Sequence, residues 1–255
     1  MSINWIGLYT LTKREVNRTF RVAIQTLVTP WITALLYIFI FGEVVGSRID
    51  LIAGVPYIQF VLPGILMMNV IMGSFIASSN ALYFKRFLHD IEEILVAPLS
   101  YMEMIIGFVA AAVIRSLVIG LGIYVIALFF GGASIINFWL FVFYVVSVSA
   151  IFALLGLIVG LWAKGFEQLN VWNTFAITPL AFLGGVFYSI EMLPENAQIV
   201  ALWNPFFYFI DGVRYSMIGI QEASALVGFV IILGLIVLLG ALVWYLFKIG
   251  WRLRE

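Results

Sequence analysis

Long apolar runs separated by short polar segments organise the whole chain. A helix needs about 20 mostly apolar residues to cross a hydrocarbon core. Six stretches reach that length, at roughly 22–41, 57–84, 105–130, 138–163, 171–190 and 223–247. The second is the least apolar: it holds Gln59, Asn69, Ser74, Ser78, Ser79 and Asn80 and opens near a Pro63-Gly64 pair. That mixture suits a helix that faces protein or a water-filled path better than one that faces lipid. The pattern predicts an all-α integral membrane protein with six transmembrane helices, forming one domain over residues 1–255.

Two segments do not fit the spanning pattern. Residues 4–21 are too charged to cross. At 100° per residue, Trp5, Leu8, Tyr9, Thr12, Val16 and Phe20 fall on one face about 120° wide, and Lys13, Arg14, Asn17, Arg18 and Arg21 fall opposite. This is the pattern of a helix lying in the membrane interface; a solvated juxtamembrane tail is the alternative. Residues 191–222 are broken by Pro194 and Pro205 and carry Glu191, Glu195, Asp211, Arg214 and Glu222, so no piece is long enough to span. Trp203, Phe206, Phe207, Tyr208 and Phe209 nevertheless make it too apolar for a free loop. Short re-entrant helices in the outer leaflet satisfy both facts, provided protein or water covers their backbone.

Composition fixes the solvent. Hydrophobic residues make up 64% of the 255 residues and charged residues 10%, with a mean hydropathy of +1.15; soluble domains are about 45–50% apolar and about 25% charged. Lys13, Arg14, Arg18, Arg21, Lys85, Arg86, Lys164, Lys248, Arg252 and Arg254 fall on one side of a six-span topology, and only Arg48 and Arg214 on the other. By the positive-inside rule both termini are cytoplasmic. The apolar-polar order at the start lacks the layout of a cleavable signal peptide, so a retained N-terminus is expected.

Several functions lack their chemistry. With no cysteine and one histidine, His89, the chain offers no thiolate or multi-histidine metal site. There is no HExxH and no GxxxxGK loop, so neither in-chain catalysis nor nucleotide binding of that kind is expected. No basic run points to nucleic acid. The predicted span interiors contain one ionisable residue, Arg115, and no carboxylate, which argues against ion-coupled transport. If the chain drives transport, the energy comes from another polypeptide.

The linker 85–104 is where such a polypeptide would act. After His89 comes a short amphipathic stretch in which Ile91, Ile94, Leu95 and Ala97 or Pro98 form an apolar side, with Asp90, Glu92 and Glu93 on its rim. Held between two spans, this helix could seat in a groove on a partner and pass its motion to both. A simple capped loop would have the same composition.

With these residues in view, the chain resembles the ABC-2 family of exporter permeases over essentially its whole length. Gln25-Thr26-Leu27-Val28-Thr29-Pro30 opens the first span and Phe41-Gly42 ends it in the family's manner, and Phe60-Val61-Leu62-Pro63-Gly64 resembles its entry to the second. Ile91-Glu92-Glu93-Ile94-Leu95-Val96-Ala97-Pro98 resembles the family's coupling helix. Thr178 to Arg214, with TPLAFLGGVFYSIEMLP and then WNPFFYFIDGVR, is close to the family signature around Asn204-Pro205, an acidic residue and an arginine. The details lean toward the small bacterial drug or unknown-substrate type.

The resemblance implies a half-size permease in a bacterial or archaeal cytoplasmic membrane. Two copies would pair as a homodimer, each bound to a separate cytosolic ATPase subunit that holds ATP and Mg, with no cofactor in the chain itself. Nucleotide-driven motion would enter through residues 88–98 and the interfacial helix. Glu92 and Glu93 are then candidate contacts for basic residues of the ATPase, or solvated charges at a helix N-terminus. Arg115 would pair with Glu103 or Glu167, snorkel inward, or meet substrate. Asp211 and Arg214 would pair as a lock in the outer region. The aromatics there, with Phe187 and Tyr188, would be interfacial anchors or an apolar outer gate. A pathway with so few charges suits an amphipathic or lipid-like substrate: a drug, a lipid or a lipid-linked glycan. A membrane scaffold or accessory subunit that anchors an ATPase without carrying substrate is the other reading, and an ion-coupled transporter a third.

Overall fold

The computed structural model describes residues 4–49, 51–131 and 134–253; Arg254, counted above among the basic residues, lies outside them. Among these residues the protein is a helical bundle with one minute hairpin. Five helices are long and apolar enough to cross a membrane: Ile24–Gly42, Tyr57–Phe87, Tyr101–Phe129, Phe138–Trp162 and Ala225–Ile249. Their bounds differ from the sequence reading by up to four residues.

The chain begins with α1 (Trp5–Arg21), whose first turn is capped by the Asn4 side chain accepting the Gly7 N–H at 2.9 Å. The first long helix holds α2 (Thr29–Tyr37) between two π-helical segments, Ile24–Val28 and Ile38–Val45. A two-residue hairpin follows, β1 (Leu51–Ile52) with β2 (Val55–Pro56), turning through Ala53 and Gly54, both at positive φ. This small antiparallel pair is the one departure from the all-α expectation among the described residues.

The central element is α3 (Tyr57–Phe87), flanked by α5 (Tyr101–Phe129), α6 (Phe138–Trp162) and α10 (Pro205–Ile218). Its polar residues face protein. Asn69 donates to the Ile65 carbonyl at 2.9 Å, Ser74 to Val70 at 2.6 Å and Ser78 to Ser74 at 3.1 Å, so each is satisfied within its own helix. They are small because α6 crosses there at close range. A Cβ at Gly160 would lie 2.8 Å from the Ser79 carbonyl oxygen, and one at Gly156 would collide with the Ser78 hydroxyl. A small-xxx-small face of this kind lets two backbones approach where no solvent drives helices together.

The predicted fifth span, 171–190, needs correction. The helical run there is α7 (Phe166–Trp172), a π-helical segment Asn173–Ile177, and α8 (Thr178–Leu183). Gly184 and Gly185 end it, Gly185 at φ +80, and residues 184–189 form turns. Its first half carries Glu167, Gln168, Asn170 and Asn173, which makes the run too polar to rank with the five apolar helices. Beyond it come a 3-10 turn (Ile190–Met192), α9 (Glu195–Trp203), α10 and finally α11 (Ala225–Ile249), which Gly250 terminates at φ +68.

The buried apolar residues form two clusters. The larger runs along α3 with α6 and α10. The smaller lies at the end of the bundle that carries Lys85, Arg86 and Lys248, here the basic end. It joins Leu11 of α1, Ile91 and Ile94 of α4 (Ile91–Val96), Met104 and Phe108 of α5, and Phe247 of α11.

Candidate functional site: a clamped helix at the basic end

At the basic end, α4 forms a short bridge between the last turn of α3 and the first turn of α5. His89, at φ 61, reverses the chain into it. Ser100 and Glu103 form a capping box at the start of α5, with the Ser100 N–H donating to Glu103 Oε2 at 2.6 Å. The apolar side of α4 is spent on the protein's own core. Ile91 and Ile94 are buried and Leu95 is half-buried, which corrects the expectation that this side faces a partner. What α4 presents outward is Glu92, Glu93, an almost fully exposed Val96 and Pro98, with Ala97 half-buried. His89 faces Glu92 at 3.9 Å on this exposed rim.

Helix α1 holds this bridge at both ends. Near its start, Asn4 Nδ2 donates to the Pro98 carbonyl at 3.0 Å and the Asn4 N–H donates to Glu103. One helix-length away, Arg14 donates to Glu93 at 3.4 Å and lies 3.9 Å from Asp90. The latter pairs are half-exposed, so each contributes at most about 1 kcal/mol.

Burial decides what holds α1 itself. Trp5, Tyr9 and Phe20 of the predicted apolar face are exposed, as an interfacial helix requires. The stripe packed against the bundle is a third one, Gly7, Leu11 and Glu15, spaced four apart. A Cβ at Gly107 of α5 would sit 2.8 Å from Leu11, so the two helices meet closely there. Glu15 is buried and forms ion pairs with Lys85 of α3 at 2.9 Å and Arg18 at 3.2 Å. Beside it, Arg86 donates to the carbonyls of Gly160 at 2.9 Å and Leu161 at 2.8 Å, closing the end of α6. The roles of Asn4, Glu15 and Lys85 were not recognised in the sequence. An acid four positions beyond Leu11, at the border of the basic face, was the available signal for Glu15.

In the opposite half of the bundle, Pro194 caps α9 and Pro205 opens α10. Asn204 caps α10 through the Phe206 N–H at 3.1 Å and donates to the Leu180 carbonyl at 2.7 Å, tying α10 to α8. Asp211 and Arg214 are buried but form no direct ion pair, which corrects the pairing expected from their spacing. Asp211 accepts the N–H groups of Glu222 at 2.9 Å and Ala223 at 3.0 Å. Arg214 meets the Glu222 carboxylate at 3.3 Å, the Phe60 carbonyl at 3.3 Å and the carbonyl of Gly185, and stacks 3.8 Å from the Phe60 ring centroid. Glu222 thus links the two, and the cluster fastens α10 to α3 and to the turn after α8.

Arg115 finds neither Glu103 nor Glu167. Pro30 cannot donate to the Thr26 carbonyl four residues before it, and Arg115 Nη2 reaches that carbonyl at 3.4 Å. The Thr-Pro pair recurs: Thr29-Pro30 and Thr178-Pro179 each follow a π-helical segment. In each, the Thr hydroxyl bonds the carbonyl five residues back, at 3.3 Å to Ile24 and 2.8 Å to Asn173. These two helical runs also carry exposed polar residues, Gln25, Thr29 and Thr33 on the first and Asn170 and Thr174 on the second. Among the described residues no group of three metal-ligating side chains occurs.

Comparison with known proteins agrees with this arrangement. Residues 7–218 match the ABC-2 type transporter family model. The chain is 37% identical to an inner membrane transport permease, YadH, of Escherichia coli K12, over the full length of both. It is 27% identical to Nodulation protein J of Rhizobium meliloti over 85% of this chain and 82% of that one. The identity to Nodulation protein J of Rhizobium leguminosarum bv. viciae is 24%, over 85% and 83%.

Proposed function

Since the chain belongs to the ABC-2 type transporter family and is a multi-pass membrane transport permease, we propose that it is the membrane half of an ATP-driven exporter whose ATPase is a separate cytosolic subunit. The observation that carries this reading is the clamped α4. Its apolar side is locked to α3 and α5 while Glu92, Glu93 and Val96 project outward. A push on that edge is transmitted to two long helices and, through Arg14 and Asn4, to α1. ATP and Mg are bound by the partner, and no residue of this chain is assigned to hydrolysis or to a cofactor. Nucleotide and substrate then bias one two-state element from different sites.

In this reading Phe166–Leu183 is the fifth crossing, giving six spans with both termini and α4 in the cytoplasm. Helices α9 and α10 re-enter from the outer side. The exposed polar residues of Ile24–Gly42 and Phe166–Leu183 are poor neighbours for lipid; a second copy of the chain covers them and a path for an amphipathic substrate lies between. The test is ATPase activity in lipid nanodiscs after co-purification with the cognate ATPase, for wild type and a Glu92→Lys, Glu93→Lys variant. Activity that requires this chain and falls at least tenfold on double reversal supports the coupling role. A well-folded chain that binds no ATPase refutes the exporter reading and favours an ion-coupled carrier.

A further inference from the structure

A cavity of about 650 Å³ lies between α1 and the basic end of α3, and of its lining the coupling role uses only Arg14 and its neighbour Asp90. Lys13, Arg14, Arg18 and Arg21 of α1 and Lys85 of α3 line it, against two acids, Glu15 and Asp90. Glu15 is held by Lys85 and Arg18, and Asp90 lies 3.9 Å from Arg14. Lys13 and Arg21 join no ion pair among the described residues. The wall therefore carries three positive charges in excess of its acids. Phe84 and Leu88 supply an exposed apolar strip in the same cavity. On its outer side, α1 exposes Trp5, Tyr9 and Phe20, which sets the cavity at headgroup depth when that face meets the membrane.

We propose that this cavity binds the headgroup of an anionic phospholipid, its phosphate among Lys13, Arg18 and Arg21 and the start of its chains along Phe84 and Leu88. A volume of this size is typical of small-molecule sites, which run about 300–1,000 Å³. The excess charge selects an anion, and the apolar strip selects an anion joined to acyl chains over a free phosphate. Binding there would brace α1 against α3, the contact on which the Arg14 hold on α4 depends. This inference concerns lipid binding by the chain itself and stands apart from the exporter reading.

The experiment uses the purified chain in zwitterionic nanodiscs, titrated with dioctanoyl phosphatidylglycerol, dioctanoyl phosphatidylcholine or glycerophosphate, with adducts counted by native mass spectrometry. One phosphatidylglycerol is expected to bind in preference to phosphatidylcholine, more weakly as salt rises. Each basic side chain near an anionic surface is worth about a factor of five, so Lys13→Gln with Arg21→Gln should weaken binding about thirtyfold. Both residues are exposed and join no ion pair among the described residues, and Lys13 only overlies the exposed Tyr9 ring at 5.6 Å, so the variant should fold, as circular dichroism will show. Arg48→Gln, beyond the far end of the first long helix, should change nothing. Equal affinity in wild type and the double variant overturns the proposal. So does phosphatidylcholine bound as tightly as phosphatidylglycerol, or glycerophosphate bound as tightly as the lipid, the latter marking a free-anion site.

Discussion

Replacing Glu15 with Gln should undock α1 while leaving the bundle intact. The Glu15 side chain is 3% exposed and that of Lys85 6%, with 2.9 Å between their charged atoms. Removing the acid leaves Lys85 charged in a pocket it shares with Arg18, so the loss combines the ion pair with two cations left facing each other. Breaking a buried pair from one side costs about 3–5 kcal/mol. At 1.36 kcal/mol per tenfold, the population of undocked α1 should rise by about two to three and a half orders of magnitude. Hydrogen-deuterium exchange in nanodiscs reads this as lost protection of residues 5–21, with α3 and α6 unchanged. Arg14→Ala is the control: its two pairs, with Glu93 and Asp90, involve side chains 43–69% exposed and contribute at most about 1 kcal/mol each, so its loss should change α1 protection less than about thirtyfold. Glu15→Leu with Lys85→Met should recover most of the protection, because an apolar pair of similar size has no charge left to desolvate. Equal effects of Glu15→Gln and Arg14→Ala, or no recovery in the apolar double variant, would refute the argument that burial fixes this hierarchy.

Three other outcomes follow from the geometry. Asp211→Ala strands the Glu222 and Ala223 N–H groups and removes an acid near Arg214, and should cost about 2–4 kcal/mol; a double-mutant cycle with Arg214→Ala should be non-additive through Glu222, and additivity would show that the cluster is not one unit. Gly156→Leu should abolish the α3–α6 crossing and yield aggregated or degraded protein, while Gly234→Leu on α11, where a Cβ meets open space, should purify normally; equal yields would contradict the close approach. Arg115→Leu should lower stability by about 1 kcal/mol through the Thr26 carbonyl, and by much less in a Pro30→Ala background, where a backbone N–H becomes available; equal costs in the two backgrounds would mean that Arg115 serves some other group.

The elements most legible in the sequence were those set by one strong signal. Apolar length marked five helices to within a few residues, because hydrocarbon thickness leaves little freedom. The short helices α9 and α10 were readable from Pro194 and Pro205, whereas the capping role of Asn204 emerged only from the structure. What was hidden depended on contacts between distant residues. Glu15 was not singled out, because periodicity cannot tell which polar position turns inward; that depends on Lys85, seventy positions away. The partnership of Asp211 and Arg214 failed for a related reason: helical spacing brings side chains near, but the backbone donors of Glu222 and Ala223 and the Phe60 carbonyl offered better geometry. Span 171–190 was misplaced because its apolar half ends in Gly184-Gly185, whose turn is stabilised by long-range packing against α10.

The distribution of burial also divides the molecule into parts suited to different tasks. Helix α3 is almost wholly enclosed, and α6 crosses it through glycines at which an added Cβ would collide with α3. Close-packed contacts of this kind transmit displacement and do not absorb it. Ile24–Gly42 has few buried residues, and both it and the run Phe166–Leu183 contain a π-helical segment at a Thr-Pro pair. There the hydrogen-bond ladder is already broken by proline, so a change of register or bend forfeits fewer backbone bonds than it would in α3. Under the proposed coupling, motion that entered at α4 would meet a stiff α3–α6 core and would be passed on by it. The two proline-broken helices are left to take up the difference at the face where their polar residues are exposed.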